Sequence, residues 1–486
     1  MTTPDSLGST GAAIAAHRFG LGEARTSIVG NDATGWLLQQ LGPAEAQRGS
    51  GLASGAEGVK RFAQFLEEQR RNPPAARSNE MAADTRPAEQ QFGAHFRAIV
   101  EADVRARLTT AALSTQPFNE RLALFWSNHF TVSMAKASAR GVVGAFEREA
   151  IRPNIHGSFE GLLKAVVHHA GMLRYLDNDS SAGPESPLVR RQARRPRAEG
   201  QPAARITGLN ENLAREILEL HTLGVSNGGA AYGGWGGYTQ SDVTEFARVL
   251  TGWRVPLRDV MEQGSARDPV RFEAAWHQPG PKTVLGRSYP EGPDALDAVL
   301  HDLAQHPSTA RFVSTKLARH FVADDPPPAL VARLEMSFHN SGGDLPQLVH
   351  TLVASPEAWA PRAAKLKTPE EFVISTVRVL QLGEQAFARQ PDGAIGQLGQ
   401  RVQAAPSPAG WPDRADEWLG PDAVWKRVEW ATRVADRVGR TADARAIARS
   451  SLGPLLQDDT LRQIERAADG PQALALLLMS PEFQRR

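Results

Sequence analysis

A mostly α-helical fold, a multi-helix globular bundle with at most a small β-hairpin near 272–289, is what this chain of 486 residues predicts. Apolar residues recur at three- and four-residue spacing through most of the sequence, and strand-type alternation is nearly absent. Helix starts and stops are marked repeatedly by capping side chains, proline and glycine.

Taken in order, Ala12–Phe19 and Ala33–Leu41 read as short helices. Residues 42–90 are rich in Ala, Gly, Pro, Glu and Arg, with one helical island at Val59–Gln69. From Phe92 to Phe130 the helical pattern returns, and Leu122, Phe125, Trp126 and Phe130 share one face. Glu147–Ile155 and Phe159–His169 continue it, and Ser180–Arg205 reads as an arginine-bearing loop, either a solvated one or an anion-binding one. Short apolar pieces around Gln278-Pro279-Gly280-Pro281 predict the hairpin. Val313, Leu317 and Phe321 mark one later helix and Leu330, Leu334 and Phe338 the next, with Pro326–Pro328 between them. Asp344…Ser355-Pro356-Glu357 aligns without gaps on Asp469…Ser480-Pro481-Glu482, two segments with the same punctuation. The expected division is 1–41 as N-terminal helices, 42–91 as a polar, partly disordered linker, 92–386 as the main helical domain and 387–486 as a C-terminal segment packed on it.

A formal net charge of +1 argues against a general nucleic-acid or membrane-surface binder. With no Cys, disulfides, thiol catalysis and Cys-ligated metal sites are excluded. No apolar run reaches the roughly 20 residues of a membrane span. The first twenty residues make a poor secretory signal, so a cytoplasmic location is the default expectation, short of export with a partner.

Gly208–Trp253 holds the densest pattern of chemistry. On a helix of about 100° per residue, Leu213, Ile217 and Leu220 form one arc, with Asn212, Glu216 and Glu219 in a stripe opposite. Glu216 and Glu219 stand one turn apart, close enough to raise one pKa and share a proton, or to hold a hard cation. An exposed face with an Arg215–Glu219 pair explains the same pattern. His221 falls on the apolar arc, where a histidine usually belongs to the core. The glycine-rich run Gly228–Gly237 fits no phosphate-binding fingerprint. Thr239 and Asp242 have capping-box spacing for the next helix, which leads to Trp253.

Elsewhere, Asn128 and His129 sit beside two aromatics at a helix end, either as a C-terminal cap or as a substrate-contacting pair. Asp177-Asn178-Asp179 suits an Asx turn or part of a cation site. His277 and Lys282 flank a rigid turn. Ser407–Asp413 with Trp418 reads as an aromatic loop packed on the body, with a carbohydrate platform as the alternative.

Eight collinear pieces carry a family likeness: Ala16–Gly22, Leu124–Phe130, Met172–Asp177, Leu209–Gly224, Tyr238–Trp253, His277–Gly286, Lys316–Arg319 and Pro406–Trp411. Through them the chain resembles, over nearly its whole length, a bacterial family catalogued as domain of unknown function 1800. It departs from the family pattern at Val402–Pro406, which is less aromatic. The resemblance implies no reaction. It implies a partner, because members are frequently encoded beside a second family with a sulfatase-like fold.

Two functions follow as expectations. The first is a hydrolase or lyase acting on a carbohydrate-like or other polar substrate. Glu216, Glu219 and His129 are then catalytic, one glutamate being general acid or base. Asn128, Asn210, Asn212, His221, Trp253, His277 and Lys282 then bind substrate. No cofactor is predicted beyond a divalent cation, with Asp177, Glu216 and Glu219 as its candidate ligands. The second function is non-catalytic, as a binding or maturation partner of the co-encoded sulfatase-like protein.

Overall fold

Short polar side chains start the helices by accepting hydrogen bonds from otherwise unpaired backbone N–H groups. Asp32 does so for Ala33–Leu38, accepting from Gly35 N at 2.6 Å. Thr239 and Asp242 form the expected capping box on Gln240–Leu250. Asp344 and Asp469 cap Leu345–Ala354 and Gly470–Met479, and Ser355 and Ser480 close them, so the two aligned segments share one local structure.

The computed structural model describes residues 8–71, 88–194, 208–225, 237–263 and 268–486. The architecture is mostly α, with two small antiparallel pairings among the described residues. Lys282–Val284 pairs with Arg287–Tyr289, which is the predicted hairpin. Its turn residues, Leu285 and Gly286, both have positive φ, the geometry a two-residue hairpin requires. Trp253–Arg254 pairs with Arg271–Phe272, a pairing the sequence pattern did not announce. The helical island inside 42–91 spans Gly55–Arg71, whereas 72–87 lies outside the described residues, as does 226–236 of the glycine-rich run. Within the arginine-bearing loop, Pro187–Ala193 forms a helix capped by Ser186; Arg195 and Arg197 lie outside the described residues.

A continuous buried apolar cluster runs from Ala12 to Phe483. Near its middle Phe19 meets Phe118, Phe321 and Trp359 at 5.7, 5.8 and 5.1 Å between ring centroids. A second run of rings links Trp126, Phe130, Phe159 and Phe338 at 5.9–6.1 Å and 5.5 Å. These rings clamp Pro117–His129 and Pro307–Phe321 together, and the ends of those helices frame the candidate site. Behind it, Lys367 N donates to Gln484 O at 2.9 Å and Arg486 N to Lys365 O at 2.8 Å, tying the last residues to the segment before Pro369–Val379.

Three described segments widen to π-helix: Ala15–Phe19, Glu147–Ile151 and Ile217–Thr222. Such turns are often found at functional positions. No helix among the described residues is long and apolar enough to cross a membrane.

Candidate functional site

A cavity of about 280 Å³ opens where Pro117–His129, Pro307–Phe321, Pro369–Val379 and the 400–414 loop meet. That is the small end of the ligand-site range, the size of a small metabolite or one end-group of a larger molecule. Asn128 fixes the loop. Its Nδ2 donates to Trp411 O at 2.9 Å and its Oδ1 accepts from Trp411 N at 2.8 Å. The loop comes this close only because residue 410 is glycine: its φ is +84°, and a Cβ there would lie 2.5 Å from Asn128 O. Gly410→Ala is expected to cost ~1–3 kcal/mol, from the left-handed backbone and the enforced separation. A lower urea midpoint checks this; an unchanged one contradicts the clamp.

Two imidazoles in the cavity wall each have one nitrogen engaged and one without a partner. His320 Nδ1 lies 2.9 Å from Asp413 Oδ2, and its Nε2 has no partner. Burial lowers the His320 pKa despite the Asp413 carboxylate. Burial works against charge on Asp413 too, but His320 and Lys365 outweigh it and hold this carboxyl below its usual range. At neutral pH the pair is therefore a carboxylate holding Nδ1–H of a neutral ring, with the Nε2 lone pair left over. His129 is fully buried. Its Nε2 lies 3.1 Å from His221 O and its Nδ1 is unpartnered. Burial, then Lys316, lowers the His129 pKa well below the ordinary value, so this ring is neutral as well. The hydroxyl of Ser127, also in the wall, has no partner.

The floor is an ion-pair network. Arg107 joins Glu147 and Glu370, the latter at 2.8 Å. Arg121 and Arg486 converge on Glu371. Burial opposes charge on Glu371, but the two guanidiniums outweigh it and hold its carboxyl well below the usual range. Burial, with repulsion from Arg486, lowers Arg121 to about 10, still charged at neutral pH. Such a network is rigid and intolerant of losing one member.

Of the residues singled out from sequence, Asn128 and His129 line this cavity, and His221 stands directly behind His129. His221 is fully buried with both ring nitrogens unpartnered, and burial lowers it to about 3. Glu216 and Glu219 do not line the cavity. Glu216 is half-buried, and burial, reinforced by Glu219, raises its carboxyl. Glu219 accepts from Tyr238 Oη at 3.4 Å. Asn210 Oδ1 accepts from Asn212 N at 2.9 Å, a local turn at the helix start, and Asn212 is exposed. Trp253 packs edge-on to His168 at 4.4 Å. Lys282, on the first hairpin strand, is buried against His277, its Nζ 2.8 Å from His277 Nε2, and His277 Nδ1 lies 2.6 Å from Thr251 O. Asp177 takes a left-handed backbone and pairs with Lys136 at 2.5 Å. Among the described residues no three His, Asp or Glu side chains are grouped to hold a metal ion.

A family model described as a protein of unknown function, DUF1800, matches residues 14–485. The chain belongs to the DUF1800 family. No curated protein and no solved structure matches it. In this DUF1800 chain the residues that sequence reasoning missed are Lys316, His320, Asp413 and the Glu371 network. A signal for some was present: Lys316 and Arg319 lie in a piece carrying the family likeness, and Asp413 closes the aromatic loop. Their meeting is a matter of tertiary packing, since His320 and Asp413 are 93 residues apart.

Proposed function

We propose that this DUF1800 protein is an enzyme, a hydrolase or lyase on a small polar substrate, and that its acid–base chemistry runs in the Asn128–His320–Asp413 cavity. The observation that carries the reading is the His320–Asp413 pair. An imidazole oriented through Nδ1 by the half-buried Asp413 carboxylate, with a buried and unpartnered Nε2, has the orientation of a general base, and substrate must displace the side chains over that nitrogen to reach it. His129 supplies a second neutral ring in the same wall. Proton removal by His320 Nε2 would place positive charge on a ring that Asp413 stabilises, and the same proton could then pass to a leaving group. Asn128 holds the loop over the site. The raised carboxyl of Glu216 keeps the Glu216–Glu219 stripe as the rival acid–base centre.

The test is to incubate the protein with a pool of polar metabolites and follow depletion by mass spectrometry. His320→Gln is expected to lower the rate of any depletion by ~10²–10⁴-fold, the usual contribution of a general base. An unchanged rate in a folded His320→Gln protein would end the proposal.

One observation favours the second reading, a partner of the co-encoded sulfatase-like protein. Leu419 and Trp425 are exposed on the segment that follows Glu417 at the cavity. Exposed apolar side chains mark docking surfaces where they join into one patch. Co-purification at micromolar concentration, lost in Trp425→Glu, is the outcome this reading expects.

A further inference from the structure

The cavity is lined by five cationic side chains, Arg414 among them, and five carboxylates, Glu417 among them, but not every cation is paired within the protein. Arg107 and Arg121 are paired with Glu147, Glu370 and Glu371. Lys316 and Arg319 are not: neither makes an ion pair with a described residue. They stand one turn apart on Pro307–Phe321, and both line the cavity. Lys316 makes no hydrogen bond to a described residue; its recorded neighbour is the Phe312 ring, 5.5 Å from Nζ. Arg319 uses only Nε, donating to Asp324 O at 3.0 Å, which leaves its two Nη groups available. The nearby carboxylate of Asp413 is already shared by His320 and Lys365. Fully buried beside them, His129 has an unpartnered Nδ1 in the same wall. The half-buried Lys316 ammonium keeps contact with solvent, so an acceptor that enters the cavity can reach it.

We infer that the substrate of this cavity carries an anionic oxygen group, a phosphate, sulfate or carboxylate, seated between Lys316 Nζ and the Arg319 guanidinium. The fork of Arg319 suits two oxygens of one such group, and Lys316 adds a point charge. The inference rests on the proposed acid–base site, because the anion would hold the substrate against His129 and His320. Burial lowers Lys316 to about 8, so binding should weaken as pH rises past that value and the ammonium is lost.

The experiment is isothermal titration of the full chain with inorganic phosphate, sulfate and acetate at pH 7 and constant ionic strength. At least one oxyanion is expected to bind a single saturable site. Lys316→Gln and Arg319→Gln should each weaken it ~10-fold or more, the loss expected for one charge-assisted contact, and Lys316→Arg should restore part of it. Preference for phosphate or sulfate over acetate assigns a phosphoryl or sulfuryl group; the reverse assigns a carboxylate. Saturable binding to none of the three, or full binding in a folded Lys316→Gln protein, overturns the inference. His320→Gln should retain anion binding while losing turnover. Loss of turnover in His320→Gln with no anion site would therefore remove this inference alone.

Discussion

Glu371→Ala is expected to be the most destabilising single substitution at the site, by ~3–5 kcal/mol, the usual cost of leaving a buried ion partner uncompensated. Two buried guanidiniums, Arg121 and Arg486, depend on this carboxylate, and its side chain is only 7% exposed. The same side chain closes the capping box of Pro369–Val379 with Thr368, so the helix start is lost with it. The effect is read as a fall in the urea midpoint. Glu371→Gln keeps the shape and part of the cap but not the charge, and should lie between wild type and Glu371→Ala. If Glu371→Ala were as stable as wild type, the network would not be holding the floor of the cavity.

Acid sensitivity is the second large effect. His17 and His221 are fully buried, and burial lowers both to about 3, against an ordinary value of 6.5. Below pH 6.5 the unfolded chain binds protons that the folded chain refuses, so stability falls with pH until about 3. Each group costs up to about 1.4 kcal/mol per pH unit, or about 2 kcal/mol by pH 5. Asp103, raised to about 6 chiefly by burial, works the other way between pH 6 and 3.8 and offsets one of them. Glu371 and Asp413, both held low, add their loss only below their unfolded values of 4.5 and 3.8. His129, His320 and His156, also lowered by burial, add to the fall, and Glu120, raised by burial, opposes it. Urea denaturation at pH 7 and pH 5 checks the combined loss. His221→Phe should flatten the acid slope and leave stability at pH 7 equal or higher, because both ring nitrogens of His221 are unpartnered. An unchanged slope would mean that His221 is not held neutral.

Much of the fold was legible because its signals are local. The Thr239–Asp242 capping box and the two Asp-to-Ser-Pro helices depend on residues within a few positions of each other. The 100° wheel held for Leu213 and Ile217 but not to the end of its helix. From Ile217 the chain widens to π geometry, with Leu223 N bonding Leu218 O at 2.9 Å, and no composition signal marks that change. The site was less legible for a physical reason. Asn128 and His129 stood out as polar residues amid aromatics, but their partners come from 316–320 and 400–413, brought together only by packing. Buried charges such as Glu147 and Arg107 carry no local pattern that separates them from charges on a helix surface. The hydrogen bond from His129 Nε2 to His221 O joins two motifs that looked separate, the aromatic Asn–His corner and the Asn–Glu–Asn helix.

The central claim is that chemistry belongs to the His320–Asp413 cavity and not to the Glu216–Glu219 stripe. The most direct measurement is metabolite depletion by wild type, His320→Gln and the Glu216→Gln/Glu219→Gln double variant, side by side, with each shown to be folded. The account predicts depletion lost in His320→Gln and retained in the double variant. Depletion retained in His320→Gln and lost in the double variant would contradict it and return the site to the stripe.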